Sequence, residues 1–224
     1  VITFSSVSKR YPGGHSALQD LTLSIEPGEL VVVRGPSGAG KSTLLKLMCA
    51  IEMPSTGSVL VHGQNTRALG ARALPFLRRR FGLVFQDHEL LFDRSAFANV
   101  MLPLEIAGLD RREAARRARA ALDKVGLLAK ERVLPIALSG GEQQRLCIAR
   151  AIVHRPAVIV ADEPTGNLDE AAARDVIALF AAFHEVGATV VISSHDRMLM
   201  AQFASRQVVL EAGRLVSRPE PAST

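Results

Sequence analysis

Tryptophan is absent from this chain of 224 residues, tyrosine occurs once, and aromatic residues make up only 4%. Stacking platforms for nucleic-acid bases are therefore nearly missing, which disfavours single-strand binding by aromatic stacking. Cysteine is almost as scarce. Cys49 and Cys147 each sit among apolar residues of an expected helix, where a free thiol acts as a small buried hydrophobe in a reducing compartment. No uncharged apolar run approaches the ~18 residues that cross a bilayer, and the opening VITFSSVSKRYPGG lacks a signal-peptide core. A membrane role is accordingly expected to come through a partner. Internal repeats and low-complexity segments are missing as well.

What is present is an ordinary globular composition with 48% hydrophobic residues. A net charge of +5 and a pI near 9.8 point to an anionic partner such as nucleotide phosphate, acidic lipid or nucleic acid. The arginines gather in LRRR (77–80) and RREAARRAR (111–119). In the second cluster, Asp110 with Glu113 resembles a capping box, and Ala114, Ala118, Leu122 and Val125 mark one apolar helix face. Glu113 can pair with Arg117 one turn on. The cluster thus reads as a solvated helix face, and nucleic-acid binding is not expected.

Along the chain, ITFSSVSKRY and ALQDLTLSIE alternate as strands around a PGG turn, and ELVVVRG is a continuous apolar run suited to a buried parallel strand. KSTLLKLMCAI predicts a helix halted near Pro54, followed by the strand-like GSVLVHG and FGLVFQ. Residues 87–137 change character, with Leu/Phe-rich loops leading into the arginine helix, and read as a helical insertion between 1–86 and 138–224. GGEQQRLCIARAIVHR predicts a helix up to Pro156. AVIVADEP then reads as a strand, EAAARDVIALFAAFHEVG as a helix and ATVVISSHD as a strand. RQVVLEAGRLV reads as a hairpin around Ala-Gly, and SRPEPAST as a frayed tail. Alternating strand and helix give an α/β class with a mostly parallel sheet.

Gly35-Pro36-Ser37-Gly38-Ala39-Gly40-Lys41-Ser42-Thr43 fits the phosphate-cradling pattern G-x-x-x-x-G-K-[ST] after a strand and opening a helix. Glycines let backbone N–H groups turn toward phosphate oxygens, and the helix start adds its positive end. Lys41 would reach the terminal phosphates and Ser42 would place its hydroxyl on Mg²⁺. Two more strands are expected to end at the same sheet edge, VIVA before Asp162-Glu163 and TVVIS before His195. Asp162 suits a grip on Mg²⁺, Glu163 can take a proton from an attacking water, and His195 could bond the γ-phosphate or orient that water. The other histidines, 15, 62, 88, 154 and 184, carry no comparable placement. A second phosphate-cradle motif, Ser139-Gly140-Gly141-Glu142, opens another helix.

With GPSGAGKST, LSGGE and VIVADEP together, the whole chain resembles the nucleotide-binding domain of ABC ATPases. The resemblance implies a P-loop NTPase with a mostly parallel core sheet, an N-terminal antiparallel β-subdomain and an inserted α-helical subdomain. It implies ATP and Mg²⁺ as ligands, Gln86 as the Q-loop residue contacting metal and water, His195 as the switch histidine, Asp169 in the D-loop and Tyr11 stacked on adenine. Glu142 stands where the family most often has Gln, which bears on a ribose contact. A homodimer follows, in which Ser139-Gly140-Gly141 of one copy serves the nucleotide held by Lys41 of the other.

PFLRRRFGLVFQDHELL, ALSGGEQQR and ADEPTGNLD are most similar to the bacterial cell-division branch of this family, with lipoprotein-release and macrolide-export ATPases as the alternative. That branch implies a polytopic membrane partner docking near His88–Leu104, with Leu90, Leu91, Phe92 and Phe97 as candidate contacts. It also implies peripheral location on the cytoplasmic face of the inner membrane.

Overall fold

Five short runs of aliphatic, mostly β-branched residues build the centre of the molecule, described for residues 1–85, 89–194 and 206–217 in a computed structural model. They are β3 (Leu30–Arg34), β6 (Phe81–Val84), β7 (Val158–Asp162), β8 (Thr189–Ser193) and β9 (Arg206–Glu211). All pair in parallel, and β10 (Arg214–Ser217) closes the edge antiparallel, giving the order β10-β9-β3-β8-β7-β6. The β9–β10 turn falls on Ala212-Gly213, both at positive φ, as the sequence suggested.

The apolar runs are continuous because both faces of this sheet are covered. Leu30, Val32, Ile159, Ala161, Val190 and Ile192 face one core, which holds α3 (Ala96–Ile106), α4 (Arg111–Lys124), α5 (Gly140–Ile152) and α6 (Glu170–Glu185). Val31, Val33, Val158, Val160, Val191 and Val208 face the other, shared with α1 (Lys41–Met48) and the first sheet. That sheet is antiparallel, ordered β2-β1-β4-β5 from β1 (Ile2–Arg10), β2 (Ser16–Ile25), β4 (Thr56–Val61) and β5 (Gln64–Asn65). The α/β fold with a mostly parallel core and an N-terminal antiparallel sheet is as expected.

Local boundaries differ. α1 stops at Met48, well before Pro54, because Ala50 turns left-handed at φ 52 and the N–H groups of Ile51 and Glu52 close on Lys46 O. α5 stops at Ile152. Arg155 adopts φ 56 ahead of Pro156, whose ring disfavours helical backbone at the residue before it. α3 lies where the sequence suggested loops. Its all-round apolar surface and internal Pro103 hide the helical period, yet Ser95 caps it by accepting from Ala98 N–H. A short helix, α2 (Leu74–Arg78), was not legible either.

The arginine helix keeps its predicted apolar face, with Ala114, Ala118, Leu122 and Val125 buried. Only half of the expected capping box forms. Asp110 accepts from the N–H groups of Arg112 and Glu113, while Glu113 turns to Arg116 at 2.8 Å and Arg117 at 2.7 Å. Those two guanidiniums pull the Glu113 carboxyl down to about 2.

Candidate nucleotide site

β3 delivers the chain into the loop 35–40, which turns back over the strand end and opens α1. Glycine is required where this loop crosses other backbone. A Cβ on Gly35, at φ 151, would lie 2.2 Å from Leu210 O, and one on Gly40, at φ 101, would lie 2.4 Å from Ala17 O. The result is a crevice of about 240 Å³ lined by residues 37–43 together with Tyr11, His15, Ala17 and Glu163. Lys41 lies within it, 8% exposed, donating to Gly35 O at 2.9 Å and Pro36 O at 3.3 Å. Its ammonium also sits 3.3 Å from Glu163 Oε1.

Glu163 reaches the crevice through a backbone reversal. β7 ends at Asp162, and Glu163 takes φ 47, a left-handed conformation that costs an L-residue about 1–2 kcal/mol. The neighbouring strand holds it there. Glu163 N–H donates to both Ser193 O at 3.1 Å and Ser193 Oγ at 2.9 Å, and Ser193 Oγ–H donates to Asp162 Oδ1 at 2.5 Å. Asp162 and Ser193 are both buried. Ser193 therefore fixes both adjacent acids, a role the sequence reading did not assign; the only signal was its place at the end of a strand beside VIVAD. His15, to which nothing was assigned, also lines the crevice.

Tyr11 stands at the crevice mouth, with its hydroxyl 3.4 Å from Thr43 Oγ1. Lys9 Nζ lies over the ring at 4.9 Å from the centroid and is held by Glu52 at 2.7 Å and Met53 O at 2.9 Å. Ser42 and Thr43 line the crevice from the first turn of α1. Ser42, which lines the crevice, and buried Asp162, which is not among its lining residues, carry oxygen donors of the hard kind that Mg²⁺ prefers. Gln86 and His195 lie outside the described residues, as does His88.

The second cradle does not line this crevice. Ser139 is the N-cap of α5, and its side chain accepts from Glu142 N–H at 3.3 Å while Glu142 Oε2 accepts from Ser139 N–H at 3.1 Å. This is the full reciprocal capping box. Ser139 and Gly140 are exposed. Gly141 packs so tightly on α6 that an added Cβ would lie 2.9 Å from Ala172 Cβ. Asp169 caps α6 by accepting from Ala172 N–H at 2.8 Å, so the two helix starts abut.

The candidate contacts for a membrane partner divide. Leu90 is 6% exposed and belongs to the core, and Phe97 packs against that core with Arg119 stacked 4.9 Å from its ring centroid. Phe92 is 49% exposed and Leu91 half-buried. The loop carrying them is tied down by buried Asn99, which accepts from Leu91 N–H and donates to Leu91 O and Arg94 O. Beside α3 runs an apolar groove of about 590 Å³, lined among others by Pro75, Arg79, Leu102, Pro103, Ile106 and Arg150. Among the described residues no helix is long and apolar enough to cross a membrane.

Comparison with known proteins converges on one family. The ABC transporter family profile matches residues 18–166. The chain is similar to the cell division ATP-binding protein FtsE of Escherichia coli (strain K12), 52% identical over 215 residues that cover 96% of this chain and 97% of that protein. The FtsE of Bacillus subtilis (strain 168) is 40% identical over 216 residues, covering 96% and 95%. Among solved structures, a dimeric post-hydrolysis state of the ATP-binding cassette MJ0796 bound to ADP and Pi superposes with a TM-score of 0.92, at 32% identity and full coverage of both chains. Sheet order, cradle loop and sequence similarity agree, and the chain belongs to the ABC transporter family.

Proposed function

We propose that the chain is an ATPase subunit that closes with a second copy around two MgATP molecules and transmits that stroke to a polytopic membrane partner of the FtsX kind. The observation that carries this reading is the separation of the two phosphate cradles: the crevice around Lys41 is lined without any of Ser139–Glu142, and Ser139 and Gly140 are exposed at a helix start. One copy thus offers each nucleotide a Lys41 face, and a second copy offers the Ser139 face.

In the reaction, a water attacks the γ-phosphorus in line as its bond to the β,γ-bridging oxygen breaks, ADP leaves with that electron pair, and the proton the water loses passes to Glu163. Lys41 exchanges its loop carbonyls and Glu163 for the terminal phosphates, where its charge opposes that which develops in the transition state. Ser42 and Asp162, with Gln86, are the residues to hold Mg²⁺, which when bound neutralises phosphate charge. Tyr11 stacks on the adenine, His195 bonds the γ-phosphate or orients the water, and Asp169 of the D-loop belongs to the nucleotide-binding set. The groove beside α3 and exposed Phe92 form the docking region for the membrane protein, at the cytoplasmic face of the bacterial inner membrane. Similarity to FtsE, a cell division ATP-binding protein, supports a role in cell division; regulation of cell-wall hydrolases without carrying a substrate across is what the resemblance to the cell-division branch implies for that role.

Mixing tests the shared site. A Lys41→Ala subunit and a Ser139→Ala subunit, each inactive alone, should together recover hydrolysis, because one site of the mixed dimer is intact. Absence of recovery at every ratio would refute the arrangement. Purification from membranes with the chain as bait, followed by identification of the polytopic protein retained, tests the partner.

A further inference from the structure

Glu142 brings a carboxylate into the first turn of α5, the same turn proposed to receive the polyphosphate of another copy's nucleotide. An acid there suits the helix N-terminus, but it opposes an approaching phosphate. The conflict is met by a residue from a different element. Lys130, at the end of the 3-10 turn Leu128–Lys130 that follows α4, places Nζ 2.5 Å from Glu142 Oε1. Glu142 Oε2 meanwhile accepts from Ser139 N–H. Both carboxylate oxygens are therefore engaged, one by a cation and one by the cap. Arg145, one turn further along α5, acts on Glu142 only at longer range and lies 3.6 Å from Asp175 on α6.

The Lys130 hydrogen bond, and after it the Ser139 N–H, hold the Glu142 carboxyl below its ordinary range. Glu142 thus stays ionised at neutral pH, and its charge is compensated by the ammonium and not by a proton.

We propose that Lys130 is a positioning residue that neutralises Glu142 and so makes the Ser139-Gly140-Gly141 turn acceptable to the phosphates of a second copy's ATP. This rests on the shared-site reading above. Lys130 touches no nucleotide; it acts through Glu142. An exposed ion pair of this kind adds little to stability, so its expected effect lies in dimer closure.

The experiment uses the Glu163→Gln protein as parent and measures the ATP concentration needed for half-maximal dimer formation by light scattering. Adding Lys130→Met should raise that concentration roughly tenfold, the scale of one partly screened charge, with binding of a fluorescent ATP analogue to the monomer unchanged. In the Glu142→Gln background the same Lys130→Met change should have no effect, since no carboxylate is left to neutralise. Raising the salt concentration should narrow the difference between parent and Lys130→Met. Lys130 is half exposed (46% for its side chain), so its truncation leaves no cavity that would unfold the protein. Unchanged dimerisation in Lys130→Met overturns the proposal, as does an equal loss with and without the Glu142→Gln change. A parent that fails to dimerise with ATP, or one whose dimerisation survives Ser139→Arg, overturns the shared-site reading and the proposal with it.

Discussion

The Lys41 ammonium lies 3.3 Å from the Glu163 carboxylate, and the two come from motifs far apart in the sequence, one from the first residue of α1 and one from the reversal after β7. The pair joins the group proposed to hold the terminal phosphates to the group proposed to accept the proton. Replacing Glu163 by Gln keeps the shape and removes the base. Steady-state phosphate release by Glu163→Gln should fall by about 10²–10⁴, the usual worth of a positioned general base, while ATP binding persists and dimers accumulate on a sizing column. Turnover at the wild-type rate would remove Glu163 from that role.

Ser193→Ala removes one hydroxyl that both donates to Asp162 and accepts from the Glu163 N–H. With a buried carboxylate left short of a donor, unfolding free energy should drop by about 1–3 kcal/mol, read by urea denaturation. Hydrolysis should fall more than nucleotide binding, because Asp162 and Glu163 lose their relative alignment while the cradle loop does not.

His154 supplies a pH dependence. Its Nε2 lies 3.2 Å from Phe81 O, its Nδ1 is buried without a hydrogen-bond partner among the described residues, and burial holds its pKa below the ordinary 6.5, the Phe81 carbonyl opposing only in part. The folded state thus binds fewer protons than the unfolded chain around that pH. The stabilisation is full above 6.5 and is lost as pH falls through the lower folded value. Melting temperature should decline on acidification, and His154→Gln should flatten that decline.

The two thiols should be silent in the native protein. Burial pushes Cys147 up to about 12 and drives Cys49 higher still, against the opposing pull of Arg150 and Arg78 respectively. A thiol-reactive chromogen at mildly alkaline pH should label neither cysteine until denaturant is added, and then both. Rapid native labelling would contradict their burial.

Much of this architecture is written locally. The runs VVV and VIVA must be strands covered on both faces, and GPSGAGKS must be a tight turn into a helix, because glycine positions and side-chain periodicity act over a few residues. α3 escaped that logic, since a helix apolar all round, with Pro103 inside, carries no amphipathic period. The end of α1 escaped it as well, because left-handed Ala50 is fully buried and its conformation is set by packing and not by residue type.

The class, the cradle loop and the residue types needed to grip phosphate and metal can be read from short spacings along the chain. Three features emerge from packing alone: Ser193 holds Asp162 and Glu163, Lys130 answers the charge of Glu142, and Phe97 packs on the core while Phe92 faces out. Each of these depends on which strands and helices lie side by side. Strand order and helix packing are fixed by the joint burial of both faces of the sheet, a condition on the whole chain that no local spacing encodes.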